Sequence, residues 1–257
     1  MRFAGIDIGS RTIELVVVDG AGQITARFQA DTGFDPITEA KKLVEGVGFD
    51  RIMATGYGRN LFEIAFDAPT VTEIKAHARG ARVFFPDVTT VLDIGNQDSK
   101  AIALFDNGRV KKFEMNDRCA AGTGKFLEIM AKTLGYGIEE FGREALLAED
   151  DLHISSMCTV FAESEVTSLI AKGNNRREIA RGLHASVIRR AAGMIKRVSY
   201  DGKIVFTGGV AQNRCMCLLL EQKLGCEVLV PELPQFVGAL GPALISAETS
   251  DGPAFNS

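Results

Sequence analysis

The sequence lacks any apolar run approaching the roughly 18 residues that a membrane-spanning helix needs, so no membrane span is expected. It also lacks an excess of positive charge. With a formal net charge of −4, it has no surplus of Lys and Arg to neutralise phosphates, which argues against general nucleic-acid binding. Cysteines are few: five, an odd number. Asp7 interrupts the N-terminal stretch MRFAGIDIGS where a signal peptide needs unbroken apolar residues. Together these point to a reducing, cytoplasmic compartment, with the cysteines as metal ligands or core residues. There is no CxxC pair and no Ser-His-Asp pattern. His77, His153 and His184 lie far apart without ligand spacing, so solvated or packing roles are expected for them. What is present reads as a soluble globular chain: 257 residues, 46% apolar and 24% charged. That composition excludes disordered, collagen-like and coiled-coil classes, and the length fits one large domain or two small ones.

An internal repeat runs at an offset of 86 residues. GIDIGSRTIELVVVDGAGQI (5–24) lies over LDIGNQDSKAIALFDNGRV (92–110), with Asp7 on Asp93, Gly9 on Gly95 and Gly22 on Gly108. Each copy reads as an apolar strand ending in Asp-Ile-Gly, a polar turn, a second apolar strand and a Gly-containing hairpin. A glycine directly after a strand lets backbone N–H groups approach an anion. The preceding Asp suits Mg²⁺ or its waters, because Mg²⁺ takes few carboxylates and keeps several waters. Asp7 and Asp93 are therefore the candidate Mg²⁺ carboxylates. Gly9, Ser10, Arg11, Thr12, Asn96 and Gln97 are the candidate phosphate contacts, and Asp98 is a candidate for positioning the attacking water.

A third glycine element, IVFTGGVAQN (204–213), runs from an apolar strand through Gly208 and Gly209 into a helical stretch beginning near Ala211. Bare backbone at such a corner accommodates a base or an α-phosphate. A fourth segment, PQFVGALGPALIS (234–246), reads as a helix in which Gly238, Ala239 and Gly241 allow close packing, with Gln235 at its start a further candidate nucleotide contact. CAAGTGKF (119–126) invites a P-loop reading. The pattern fails at both ends, where Cys119 replaces the first Gly and Phe126 the Ser or Thr.

Cys119 and Cys158 each precede a stretch of helical spacing, ending near Gly135 and Gly173 respectively. A helix N-terminus favours thiolates and an anionic iron–sulfur cluster. From spacing alone, without a CxxC pattern, two small buried hydrophobes are the commoner role of free cysteines. A [4Fe–4S] cluster needs four thiolates, and a two-fold dimer would supply two from each chain. Cys215, Cys217 and Cys226 read as ordinary core or surface thiols. Gly122 and Gly124, just after Cys119, are candidates for hinge freedom and for approaching the nucleotide. The arginines of residues 176–198 read as a solvated helix face that an acidic partner could also use.

Asp7-Ile-Gly, Asp93-Ile-Gly and Thr207-Gly-Gly, in this order, resemble the two phosphate motifs and the adenosine motif of the actin, heat-shock chaperone and sugar-kinase superfamily. NDRCAAGTGKFLE, ISSMCTVFAESE, TGYGR (55–59), DIGNQDSK, FTGGV and FVGALG make the resemblance narrower. They are similar to segments of the ATPases that activate 2-hydroxyacyl-CoA dehydratases and benzoyl-CoA reductases, and the likeness spans residues 2–247. The resemblance implies an α/β fold of two similar mixed-sheet subdomains, each five-stranded, of the actin-like (ribonuclease H-like) type around an ATP–Mg²⁺ cleft. The division expected is 1–86, 87–247 and a disordered tail over 248–257. It further implies a homodimer bridged by one [4Fe–4S] cluster on Cys119 and Cys158 of each chain. ATP hydrolysis to ADP would drive an electron from ferredoxin or flavodoxin to a dehydratase, a reductase or a double-cubane-cluster protein. Two positions depart from the family pattern: Asn96 stands where a second Gly is usual, and Arg11 interrupts the first motif. Asparagine tolerates a left-handed backbone better than most residues, so the turn is expected to survive. The alternatives are a small-molecule kinase of the same fold without a cluster, and a nucleotide-dependent scaffold without turnover.

Overall fold

The computed structural model describes residues 1–150, 152–155, 158–198 and 203–249. The chain forms two units: Met1–Val88 with Leu104–Val110 and the residues from Pro231 on, and Thr89–Ala103 with Lys111–Val230. The sequence-based division at 86/87 therefore differs at the far end, where the segment after residue 230 returns to the first unit. Within the segment expected as a tail, Glu248 is helical and Thr249 caps the helix. Residues 250–257 lie outside the described residues.

The first unit opens with β1 (Arg2–Ile8), β2 (Thr12–Asp19) and β3 (Ile24–Asp31). It continues through α1 (Pro36–Val44), β4 (Arg51–Thr55), α2 (Arg59–Phe66) and α3 (Glu73–Phe84). The sheet order is β3-β2-β1-β4, with β1 antiparallel to β2 and parallel to β4. The apolar run of β2 is buried on both faces, whereas β3, at the edge, is largely exposed. Alternation sorts the core. Ala4, Ile6, Ile8, Ile13, Leu15 and Val17 pack on one face with Ala40 of α1, while Phe3, Val16 and Val18 pack on the other. Asp35 starts α1 by accepting from the N–H groups of Ile37 and Thr38, each at 3.2 Å, with Pro36 in the first turn.

The second unit follows with β5 (Thr90–Ile94), β6 (Ser99–Leu104), β7 (Val110–Asn116), α4 (Gly124–Thr133), α5 (Ile138–Leu146) and α6 (Thr159–Ala171). It ends with α7 (Arg176–Val198), β8 (Ile204–Thr207), α8 (Arg214–Leu224) and β9 (Val228–Leu229). Its sheet runs β7-β6-β5-β8-β9. One core joins β5, β6 and β8 to α4–α8 through Phe126, Met130, Phe141, Leu183, Ile195 and Phe206. The last element, α9 (Val237–Glu248), lies against β1 and α3 in the first unit.

Two mixed sheets in an α/β arrangement agree with the expected fold class. The first sheet, however, has four strands among the described residues rather than five. The fifth position is reduced to a parallel bridge between Ala54 and Thr70, made by Ala54 N–H to Pro69 O and Val71 N–H to Ala54 O at 2.9 Å each. The 86-residue offset recurs bond for bond in the hairpins. Gly22 N–H donates to Asp19 O at 3.0 Å, and Gly108 N–H to Phe105 O at 2.7 Å.

Two arginines of α7 do more than line the expected solvated face. Arg176 donates to Leu134 O and lies over the Tyr136 ring, and Arg189 donates to Ile154 O at 2.8 Å. These side chains fasten neighbouring loops to the helix.

Candidate nucleotide and cysteine sites

In the first unit, β1 delivers Asp7 to its C-terminal end, and the turn after it closes with Gly9 N–H donating to Thr12 O at 3.0 Å. Thr32 Oγ1 fixes the same turn from outside by donating to Gly9 O at 2.8 Å. Ser10 and Arg11 are exposed, while Gly9 and Thr12 are half-buried. On the parallel neighbour β4, Thr55 stands in register with Asp7. The chain then turns at Gly56 with φ +88°, where a Cβ would stand 2.3 Å from Asp7 Oδ1 and 2.6 Å from Ile8 O. Gly58 N–H donates to Ile8 O at 2.9 Å. From α9, Gly238 brings bare backbone to the other Asp7 oxygen, where a Cβ would come within 2.0 Å of Oδ2. Gln235, in the turn ahead of α9, has a buried Oε1 that makes no hydrogen bond among the described residues. Beside Asp7, Glu14 stands in register on β2, and burial raises its carboxyl to about 7 against a smaller opposing hydrogen bond from Thr12.

The second unit repeats this corner. Gly95 N–H donates to Asp98 O at 3.0 Å, as Gly9 does to Thr12 O. Thr207 at the end of β8 is in register with Asp93. Gly208 follows with φ +85°, where a Cβ would stand 2.5 Å from Asp93 Oδ1 and 2.6 Å from Ile94 O. Thr55-Gly56 is thus the first-unit counterpart of Thr207-Gly208. In the sequence TGYGR stands out only by its family resemblance, and the one signal of its place here is the Thr-Gly shared with FTGGV after an apolar strand. Gly209 is exposed and begins a 3-10 turn over Gly209–Gln212, so α8 starts at Arg214, later than the expected position near Ala211.

The repeat reverses charge at a buried position. Where the first unit has Glu14, the second has Lys100, 1% exposed, with Nζ 3.1 Å from Asp93 Oδ2 and 2.6 Å from Asp98 Oδ1. The ammonium balances two carboxylates that would otherwise repel in a buried setting. The expectation about Asn96 also changes. Among the described residues Asp67 is the only non-glycine with positive φ, so the turn at Asn96 needs no left-handed backbone. Gln97 is exposed beside it.

The Cys119 segment packs onto this second motif. The first N–H groups of α4 go to it: Gly124 donates to Gly95 O and Lys125 to Asn96 O, each at 2.8 Å. Ser99 Oγ donates to Gly122 O at 2.9 Å. Asn116 Nδ2 donates to Cys119 O and Ala121 O at 3.0 and 3.1 Å, which shapes the loop that carries the thiol. Lys125 Nζ lies 3.5 Å from Glu128 on an exposed helix face, away from any P-loop role. Cys158 is the N-cap residue of α6 and is exposed, and Cys119 is half-buried. The other thiols differ. Cys215 and Cys217 are buried, and burial pushes them up to about 12 and about 11. Thiolate ligands must be deprotonated and within reach, so Cys119 and Cys158 fit a surface-held cluster and the α8 pair does not. Cys226, half-buried, packs against the core.

The model of the BadF/BadG/BcrA/BcrD ATPase family matches residues 4–246. The chain belongs to this family. Within the family's range, an activator of lactoyl-CoA dehydratase from Anaerotignum propionicum is 41% identical, over 97% of this chain and 99% of its own. The crystal structure of (R)-2-hydroxyglutaryl-CoA dehydratase component A from Acidaminococcus fermentans superposes with a TM-score of 0.91 at 37% identity. That match covers 98% of this chain and 100% of the other. The activator of 2-hydroxyisocaproyl-CoA dehydratase from Clostridium difficile, with bound ADPNP, gives a TM-score of 0.89 at 36% identity, over 96% of this chain and 95% of that one. The chain is accordingly an ATPase of the actin-like fold. Among the described residues no helix is long and apolar enough to cross a membrane.

Proposed function

We propose that this ATPase delivers a low-potential electron, taken from ferredoxin or flavodoxin, to an iron–sulfur partner of the 2-hydroxyacyl-CoA dehydratase, benzoyl-CoA reductase or double-cubane-cluster kind. One observation carries the reading: the helix that follows Cys119 is fastened by its first two N–H groups to the carbonyls of Gly95 and Asn96 in the phosphate motif. A nucleotide-dependent shift of that motif therefore shifts the Cys119 segment with it.

In the first unit, Asp7 serves Mg²⁺ or its waters, Gly9, Ser10, Arg11 and Thr12 contact phosphate, and Gln235 offers its buried Oε1 to the nucleotide. In the second unit, Asp93 serves Mg²⁺ or its waters, Asn96 and Gln97 contact phosphate, and Gly122 and Gly124 follow the phosphate turn. Asp98 positions the attacking water while Lys100 holds its carboxylate in place. Gly208 and Gly209 leave room for the adenosine end. Arg11 adds a cation to the phosphate contacts. Cys119 and Cys158, two from each of two copies, would hold one [4Fe–4S] cluster, which supplies a one-electron carrier. Cys158 caps α6, whose N-terminus favours negative charge at that thiol. Cys119 lies ahead of the Thr123 cap of α4 and moves with the phosphate motif, so displacement of either changes how well a reduced centre is stabilised. ATP drives the transfer only through a difference in affinity between two conformations, which the hydrogen bonds from Gly124 and Lys125 to the Gly95 and Asn96 carbonyls convert into displacement.

The test is iron and sulfide content with EPR of the dithionite-reduced protein after anaerobic purification. The reading requires about four irons per two chains, one [4Fe–4S] set, lost in Cys119→Ser and in Cys158→Ser and retained in Cys215→Ser. Absence of iron after anaerobic reconstitution would end it and favour a kinase, to be sought with an acceptor screen.

A further inference from the structure

His184 is fully buried in α7, and both ring nitrogens are engaged. Nδ1 lies 2.7 Å from Ala180 O, one turn back, and must donate there; Nε2 therefore accepts from Asn213 Nδ2 at 2.9 Å. Burial lowers the imidazole to about 4, against the smaller effect of the Ala180 bond, so this single tautomer persists at neutral pH. The other end of the Asn213 amide caps α8: Oδ1 accepts from Cys215 N–H at 3.0 Å and Met216 N–H at 3.4 Å. The remaining side is closed by Gly142 of α5, where a Cβ would stand 2.4 Å from Asn213 Oδ1 and 2.9 Å from Nδ2. The Phe141 ring lies 4.5 Å from the imidazole.

This clamp sits immediately after the 3-10 turn Gly209–Gln212, and Asn213 N–H itself donates to Val210 O at 3.0 Å. We infer that His184, Asn213 and Gly142 form a positioning set that fixes the Thr207–Gln212 corner for the adenosine end of the nucleotide. None of the three touches the ligand; each acts through the corner. The inference rests on assigning that corner to the adenosine, and it adds three residues other than the corner's glycines as determinants of nucleotide affinity.

The experiment is calorimetric titration of the full chain with Mg·ADP, alongside thermal unfolding and ATPase kinetics. Gly142→Ala adds one methyl to a helix interior, a change that by itself favours helix. It is nevertheless expected to displace Asn213 and weaken ADP binding by about tenfold, the scale of one disturbed buried hydrogen bond. His184→Phe keeps the packing against Phe141 but removes the acceptor, with the same expected loss. His184→Gln restores an acceptor and recovers affinity. In the kinetics, KM for ATP rises while kcat changes less, because the corner is remote from the bond that breaks. If the parent binds Mg·ADP and these variants bind equally well while folded, the inference falls and the nucleotide reading stands. If the parent binds none, both fall. Should Gly142→Ala fail to fold, the His184→Phe and His184→Gln pair decides alone.

Discussion

Glu14 and Lys100 occupy the same place in two copies of one hairpin and carry opposite formal charge, with opposite consequences for the aspartates beside them. Lys100 compensates Asp93 and Asp98 directly. Glu14 is a buried acid beside another acid, and its folded-state value of about 7 lies above that of an unfolded glutamate. A raised carboxyl contributes stability that is fully present below the unfolded value and lost as pH rises through the folded one. Glu14→Gln is therefore expected to unfold at a higher temperature than the parent at pH 8, with the advantage vanishing towards pH 4. Thermal melts across that range, recorded without nucleotide, would check it; equal pH slopes in the two proteins would contradict it. At this scale the aspartates, the hairpin glycines and Cys119 and Cys158 were legible, because each lies in a short contiguous pattern. Glu14, Asn213 and His184 were not. Their importance arises from burial and from partners in other elements, and a single polar letter within an apolar strand or an arginine-rich helix carries neither.

Among the elements, α9 shows how tightly glycine spacing sets helix-to-sheet distance. A Cβ on Gly5 of β1 would stand 2.0 Å from Ala239 O and 2.4 Å from Ala243 N, and one on Gly241 would stand 2.0 Å from Ala76 O. Neither neighbour is a side chain that can rotate away. Gly5→Ala is expected to destabilise the chain by about 1–3 kcal/mol, the usual penalty for an overfilled core, measurable by urea unfolding. A change within a few tenths of zero would mean the helix can lift without cost. The close packing of Gly238, Ala239 and Gly241 was readable from their spacing, as were the helices after Cys119 and Cys158. The partner of α9 was not, since nothing in residues 234–246 names a strand more than two hundred residues earlier. Likewise, no strand pattern in the sequence announces that, among the described residues, the first sheet's fifth position is reduced to the Ala54–Thr70 bridge beside Pro69.

For the molecule as a whole, the proposed cluster requires two copies, and the surface near Cys158 suits that requirement. Val160 and Phe161, in the first turn of α6, are 66% and 67% exposed. Large apolar groups left in water beside a thiol are a reason for a second surface to cover them. Anaerobic light scattering should give two chains per particle when iron is bound and one after chelation. Phe161→Asp should shift the iron-loaded protein towards single chains; an unchanged mass in all three samples would separate the cluster from assembly. The 86-residue repeat announced a duplicated strand-and-hairpin motif, and the family resemblance implied two similar halves. The order in which the chain builds those units was not.

That order bears on synthesis. The second unit is complete in sequence by residue 230, whereas β1 of the first unit keeps its Gly5 face uncovered until residues 237–248 have been made. Domains that emerge earlier from the ribosome ordinarily fold earlier. Here β1 must wait for a segment more than two hundred residues further along the chain, so the nascent chain carries an open sheet face while the residues between are made. A ribosome that stalls before codon 237 would leave a finished second unit attached to an unfinished first one, a natural target for chaperones and proteases.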